Sequence, residues 1–391
     1  MSFMKICILL GIILMIKSDS ILIPCQKYMN SINIYLRPKN RDELFIALID
    51  ITSQISLFAT ELVNDTSSSL IDIKYKNKIF TSKEIKEDLI FKELFMLDLK
   101  EFTYYGRKIE YDKSRTPSSI LAFGLDVNES NSLTHLLKKL NVIDKTSFSF
   151  DNNIDDKCAV YFGSSPVVSK FQYKNTIRVL DNLYSDELKG KWNIRMDYFA
   201  TGKNTIYYNS PYESLTHFST SEQRIKMPHK AYQFLIKTVF AESLNNNVCK
   251  FKGSKKDELS CDCDELLFLT SISFGFDGKN FELELKKLFV EYDYECIFLM
   301  EENKEAHDKW IIGNQFLFNF FTEIDYDNRT ITFYSHSPFG EKSNQKNPYE
   351  IATSASKFFL CLMMILMVIN IIIIIYLKQY KDLGIINNLQ Y

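Results

Sequence analysis

Between residues 28 and 337 the chain is a nearly continuous series of short runs rich in β-branched and aromatic residues. No other feature limits the fold as strongly. Residues 45–51, 71–75, 159–162, 192–199, 267–276 and 330–334 are examples. Many alternate apolar and polar side chains with the period of two that a half-buried strand requires. Helical periodicity is rare. Residues 133–140 (LTHLLKKL) carry it, as do residues 229–244 (HKAYQFLIKTVFAESL), which follow Pro228 where a helix start tolerates proline. Many strands with few short helices predict an all-β architecture. About 310 residues are too many for one sandwich, so two β domains are expected. The 31 Phe and 22 Tyr supply apolar material for two cores. A net charge of −2 excludes a basic nucleic-acid binder, and 46 % hydrophobic residues exclude a disordered chain. There are only 12 Gly, where an average chain of this length holds roughly 27. Gly-rich phosphate cradles are therefore disfavoured.

The two ends lie apart from this pattern. Residues 1–20 have a positive start at Lys5, an apolar run over 6–16 and small residues at Ser18 and Ser20. They are expected to be a secretory signal peptide. Residues 358–377 (FFLCLMMILMVINIIIIIYL) match one membrane span in length and are bracketed by Lys357 and Lys378. Residues 338–357 are expected to be a stalk and 378–391 a cytosolic tail. A cleavable signal with one late span predicts a single-pass type I protein of the secretory pathway or cell-surface membrane, with a lumenal or extracellular ectodomain. Three glycosylation sequons fit that compartment, at Asn64, Asn128 and Asn328. Six Cys fall in the ectodomain: Cys25, Cys158, Cys249, Cys261, Cys263 and Cys296. An even count in an oxidising compartment points to disulfides. A zinc site at Cys249, Cys261 and Cys263 is the competing reading, but it lacks C-x-x-C pairs and a nearby His.

Residues 310–333 read WIIGNQFLFNFFTEIDYDNRTITF. The segment resembles the C-terminal signature of the pepsin-type aspartic proteases: Trp and two aliphatics before a Gly, then Phe-Leu, aromatics, Phe/Ile-Asp and a final strand. Residues 120–124 (ILAFG) resemble the first lobe's I-L-G-L-G element. They are followed, as in that family, by a short helix and by VIDKTSFSF (142–150) and AVYFGSS (159–165). Residues 192–197 resemble the strand that opens the second lobe. The resemblance covers roughly residues 28–337. It implies a bilobal pepsin-like fold, with an N-terminal lobe over 21–190 and a C-terminal lobe over 191–337. It also implies a Cys263–Cys296 disulfide. Gly313 would allow close backbone approach beneath the site. The late membrane span is similar to that of the family's membrane-anchored members.

In this family each lobe contributes one D-[TS]-G-[TS] loop, and the two Asp share a proton: one helps activate a water, the other polarises the peptide carbonyl. Residues 45–53 (FIALIDITS) fit the first loop, with Asp50 on the first catalytic position. Ile51 and Thr52 stand where the family has Thr and Gly. Residues 218–228 (FSTSEQRIKMP) fit the second. Anchoring on Pro228 puts Ser219 on the second catalytic position, Thr220 on the Ser/Thr and Ser221 on the Gly. No Asp occurs between Asp197 and Asp257 to rescue the motif, and Glu222 is three positions off. Without a partner, Asp50 is expected to be an ordinary hydrated carboxylate. Tyr75 would be the flap Tyr, with Lys76 and Lys78 in place of the flap glycines. A mature chain starting near Ile21, with its first strand near Tyr28, leaves no room for an inhibitory prosegment.

Two readings follow. One is a membrane-anchored pseudoprotease that binds polypeptide without cutting it. The other is an active aspartic-type endopeptidase with atypical loops. A surface glycoprotein using the fold as a spacer is not separable from the first. No cofactor, metal or nucleic acid is expected. The five His are scattered, no H-E-x-x-H or G-x-S-x-G occurs, and the acidic run 257–265 lacks the ligand order of an EF-hand.

Overall fold

The structure, a computed structural model, describes residues 20–339 apart from 29–30, 40–44, 60–70, 76–77, 92–93, 108–118, 126–131, 155–156, 181–189, 203, 211–212, 254–257, 269–270, 293 and 306–307; it also describes 366, 367 and 369. The chain divides into two units, Met1–Glu341 and Lys342–Tyr391. In the second, Leu366, Met367 and Ile369 are helical and exposed. No helix among the described residues is long and apolar enough to cross a membrane. Residues 1–19 of the expected signal peptide, most of the expected stalk and span, the tail, Asn64, Asn128 and Lys76 lie outside the described residues; Ser20, the last residue of that expected leader, opens the first strand.

The first unit is built from strands, as the alternating pattern requires. The largest sheet has thirteen. Its order from one edge is Tyr173–Arg178, Thr330–Ser335, Phe321–Asp325, Ser147–Ile154, Lys157–Gly163, Ser20–Tyr28, Ser31–Pro38, Phe45–Asp50, Ser119–Ala122, Leu57–Ala59, Leu94–Arg107, Lys78–Phe91 and Ile71–Tyr75. Strands from both ends of the unit meet in this one sheet. A second sheet has eight, with Leu215–Phe218, Trp310–Ile312 and Ile225–Met227 side by side. Four more, Cys249–Lys252, Glu258–Asp262, Glu295–Phe298 and Phe289–Tyr292, form a separate small sheet. Asp277 and Gly278 join Ser271–Phe276 to Lys279–Glu284 with positive φ at both turn residues. That is the backbone a two-residue Asp-Gly hairpin favours.

One apolar core runs through both halves. Trp192 and Trp310 are fully buried. The Trp192 indole N–H and the Tyr326 hydroxyl both donate to the Phe123 carbonyl, at 3.0 and 2.9 Å. Phe339 packs on Phe281 and Phe320 and accepts a backbone hydrogen bond from Glu282. The packed body therefore extends two residues into the stretch expected to be a stalk.

Disulfides join Cys249 to Cys261 and Cys263 to Cys296. Cys158 is also disulfide-bonded, and Cys25 stands directly across from it in the ladder. Among the described residues no cluster of His, Cys, Asp and Glu could hold a metal.

Three expectations need correction. The first strand is Ser20–Tyr28, not one that starts near Tyr28; Ile21, Leu22 and Ile23 pair with Phe162, Tyr161 and Val160. The run expected as a strand over 267–276 starts only at Ser271, because Asp264–Phe268 winds into a 3-10 turn directly after Cys263. The second helix is interrupted: His229–Leu235 passes into a π-helical stretch, Ile236–Phe240, before Ala241–Asn245. Inside that stretch Thr238 donates its hydroxyl to the Phe234 carbonyl and meets the Thr201 hydroxyl.

Candidate functional site

The same three-strand frame occurs twice. In the first half, Phe45–Asp50 lies parallel to Ser119–Ala122, whose other side takes Leu57–Ala59 antiparallel. In the second, Leu215–Phe218 lies parallel to Trp310–Ile312, whose other side takes Ile225–Met227 antiparallel. The registers match residue for residue. Ile49 is opposite Leu121, and Leu57 is opposite Ile120. Phe218 is opposite Ile312, and Lys226 is opposite Ile311. Ile49 therefore corresponds to Phe218 and Leu57 to Lys226, with the same length of chain between them. Counting inward, Asp50 corresponds to Ser219, Ile51 to Thr220 and Thr52 to Ser221.

Each loop is held beneath by a glycine. At Gly124 a Cβ would lie 2.6 Å from the Ser53 carbonyl oxygen and 3.0 Å from that of Gly190. At Gly313 it would lie 2.2 Å from the Arg224 carbonyl oxygen and 2.6 Å from that of Glu222. Side chains at these sites would collide with fixed backbone, so the loops can sit this close only over glycine. The neighbouring amides then bond across: Gly124 N–H to the Ser53 carbonyl at 2.7 Å, and Asn314 N–H to the Glu222 carbonyl at 2.8 Å.

Asp50 is fully buried, which overturns the expectation of a hydrated carboxylate. Its Oδ1 accepts from Thr52 twice, from the backbone N–H at 2.8 Å and from the hydroxyl at 2.6 Å. Thr52 thus applies its own side chain to the carboxylate at a position where the related pattern has glycine.

Ser219 is buried as well. Its N–H donates to the Ile312 carbonyl, and its Oγ lies 3.1 Å from Ser221 Oγ. The two loops therefore repeat the same contact between residues i and i+2. In the first it joins a carboxylate to a hydroxyl, and in the second a hydroxyl to a hydroxyl. Glu222, the nearest carboxylate in sequence, is ion-paired with Lys226 at 3.0 Å.

Thr220 joins the loops directly. Its hydroxyl donates to the Ile49 carbonyl at 2.6 Å and accepts from the Ile51 N–H at 3.1 Å. One side chain thus brackets Asp50 from across a sequence gap of about 170 residues. Asn314 donates its side-chain N–H to the Thr220 carbonyl at 2.7 Å and holds that loop in turn. Ile51, in the corresponding position, has no hydroxyl and cannot return the bracket. Thr220 was recognisable only as a Ser/Thr position; its reach to the first loop was not.

His217 lies two residues before Ser219 and is buried. Burial, then Lys191, push its pKa down to about 3, so the ring is neutral near neutral pH. It is a packed strand residue, with Asn193 on one side and Ile311 on the other. Tyr75 ends the strand Ile71–Tyr75, which forms a hairpin with Lys78–Phe91 and pairs with Lys78. Asn328 is exposed in the turn between Phe321–Asp325 and Thr330–Ser335, with its N–H and side-chain amide both donated to Asp325.

No curated protein matches the sequence. The model of one family, eukaryotic aspartyl protease, matches residues 110–335. That stretch includes Ser219, Gly313 and both disulfides of the second half, while Asp50 and the Tyr75 hairpin precede it. Since the match spans more than half of the 391 residues and contains the second of the two frames, the chain belongs to the eukaryotic aspartyl protease family.

Proposed function

We propose that this chain is a pseudoprotease: a membrane-anchored, secretory-pathway member of its family that binds polypeptide without hydrolysing it. One observation carries the reading. Ser219, the residue in register with Asp50, spends its hydroxyl on Ser221. Peptide hydrolysis by this family's chemistry needs two carboxyl groups sharing one proton. A serine hydroxyl is too weak an acid to take the second role. Losing one acid–base group costs on the order of 10²–10⁴ in rate, and more where the two groups act as a unit. The Thr52 contact on Asp50 supports the same reading, because it directs that carboxylate toward its own loop.

In this reading the expected type I topology, signal peptide and glycans at Asn64, Asn128 and Asn328 place the body outside the cytosol. The partner is a polypeptide, held without metal or cofactor. The test is to purify the full chain in detergent and incubate it with a broad peptide library from acid to neutral pH. The expected result is cleavage no faster than that of an Asp50→Asn variant. Cleavage that a statine-type inhibitor blocks and Asp50→Asn abolishes would establish the active endopeptidase instead.

A further inference from the structure

The small four-stranded sheet shares no strand with either loop. Among the described residues its last strand, Phe289–Tyr292, pairs on one side only, with Glu295–Phe298. Tyr292 is opposite Glu295 and closes the hairpin, with Tyr294 in the turn. In such a hairpin the closing pair bonds inward and the next residue turns its N–H and C=O outward. That residue is Glu291.

Three apolar or aromatic side chains line this edge at alternate positions. Val290 is 40 % exposed, Tyr292 62 % and Tyr294 94 %. Among the described residues neither tyrosine hydroxyl has a hydrogen-bond partner, and exposed Glu291 has no cation paired with it. The neighbouring lysines are already engaged: Lys286 and Lys287 with Glu284, Lys250 and Lys252 with Glu295.

Tyr294 also has φ +67°, a conformation that a bulky side chain adopts only against strain. Glycine or asparagine would serve the turn at lower cost. An edge strand is commonly guarded by charge or proline. Here the one charge of Phe289–Tyr292 is Glu291, which repels an acidic strand and attracts a basic one, and two tyrosines and a valine flank it.

We infer that Phe289–Tyr292 and its turn form a docking edge for an extended polypeptide segment, which adds to the sheet as a fifth strand. The segment's backbone pairs with Glu291. A Lys or Arg opposite Glu291 meets its exposed carboxylate, and apolar side chains at alternate positions pack on Val290, Tyr292 and Tyr294. This is strand addition, in which main-chain bonds supply affinity and alternate side chains supply specificity. It does not rest on the pseudoprotease reading, since an active enzyme would carry the same edge.

The test uses the full chain in detergent and a short blocked peptide alternating valine and lysine. Binding is read by fluorescence anisotropy, and protection by amide exchange at Glu291. The peptide should bind and slow exchange at Glu291. Replacing its lysines by glutamate, or methylating its alternate backbone nitrogens, should abolish binding. Tyr294→Gly, which suits the positive φ, and Tyr292→Ser should each weaken it roughly thirtyfold, as loss of a central aromatic anchor does. Equal binding of the glutamate peptide, or binding indifferent to N-methylation and to both substitutions, would overturn the proposal. So would self-association of the chain that Tyr292→Ser abolishes, because the edge would then belong to a second copy.

Discussion

Replacing Thr220 by valine removes one hydroxyl while nearly preserving the shape of the side chain. The hydroxyl is buried and serves two backbone groups of the other loop, the Ile49 carbonyl and the Ile51 N–H. Valine would leave both without that partner in a place water does not reach. An orphaned buried polar group costs about 1–3 kcal/mol, so the pair should cost roughly 3 kcal/mol. For a body of this size that lowers the midpoint of thermal unfolding by roughly 4–5 °C. Thr220→Ser keeps the hydroxyl and loses one methyl, at about 1 kcal/mol. Both tryptophans are buried, and Trp192 is bonded to Phe123 beside the first loop, so intrinsic fluorescence reports the transition. Valine within about 0.5 kcal/mol of the parent, or serine as damaging as valine, would refute the clasp between the loops.

Two further outcomes follow from the same frame. His217 has a folded pKa near 3, against an ordinary value of 6.5. Between these values the unfolded chain binds a proton that the folded chain does not, so stability should fall as pH drops from about 6.5 toward 3, by ~1.4 kcal/mol per pH unit from this group. His217→Phe should flatten the slope by about one proton in denaturation midpoints measured across that window. Gly313→Ala would drive a methyl into the Arg224 and Glu222 carbonyls. It should destabilise by roughly 3 kcal/mol and, by displacing the second loop, lengthen the Ser219–Ser221 contact in a crystal structure of the variant.

Local pattern made part of this legible. The β character of 28–337 follows from residue type and alternation, and the structure has strands at Phe45–Asp50, Ile71–Tyr75 and Thr330–Ser335. Gly124 and Gly313 could be singled out because a missing Cβ is visible in a sequence, and both lie against carbonyl oxygens. Thr52 could be seen as a bulky residue where glycine is usual. Its hydroxyl turning onto Asp50 could not, because that depends on the loop's backbone course. The Thr220 contacts depend on two segments about 170 residues apart arriving at one point. The Cys249–Cys261 bond was equally hidden. Six cysteines allow fifteen pairings, and even the strand register leaves the choice open, because Cys261 stands opposite both Cys249 and Cys296. The edge at Tyr292 and Tyr294 reads as ordinary strand in sequence, since nothing local says which strand ends a sheet.

The route of the chain through its largest sheet also imposes an order of events on synthesis. Ser147–Ile154 pairs with Phe321–Asp325, and Tyr173–Arg178 with Thr330–Ser335, while the first loop waits for the hydroxyl of Thr220. At translation rates of about 5–20 residues per second, the segment carrying Asp50 must wait roughly 10–30 s before its bracket is synthesised. The edge of Ser147–Ile154 stays unpaired for a similar time. The nascent first half is therefore an open sheet with a bare edge until the last quarter of the chain arrives.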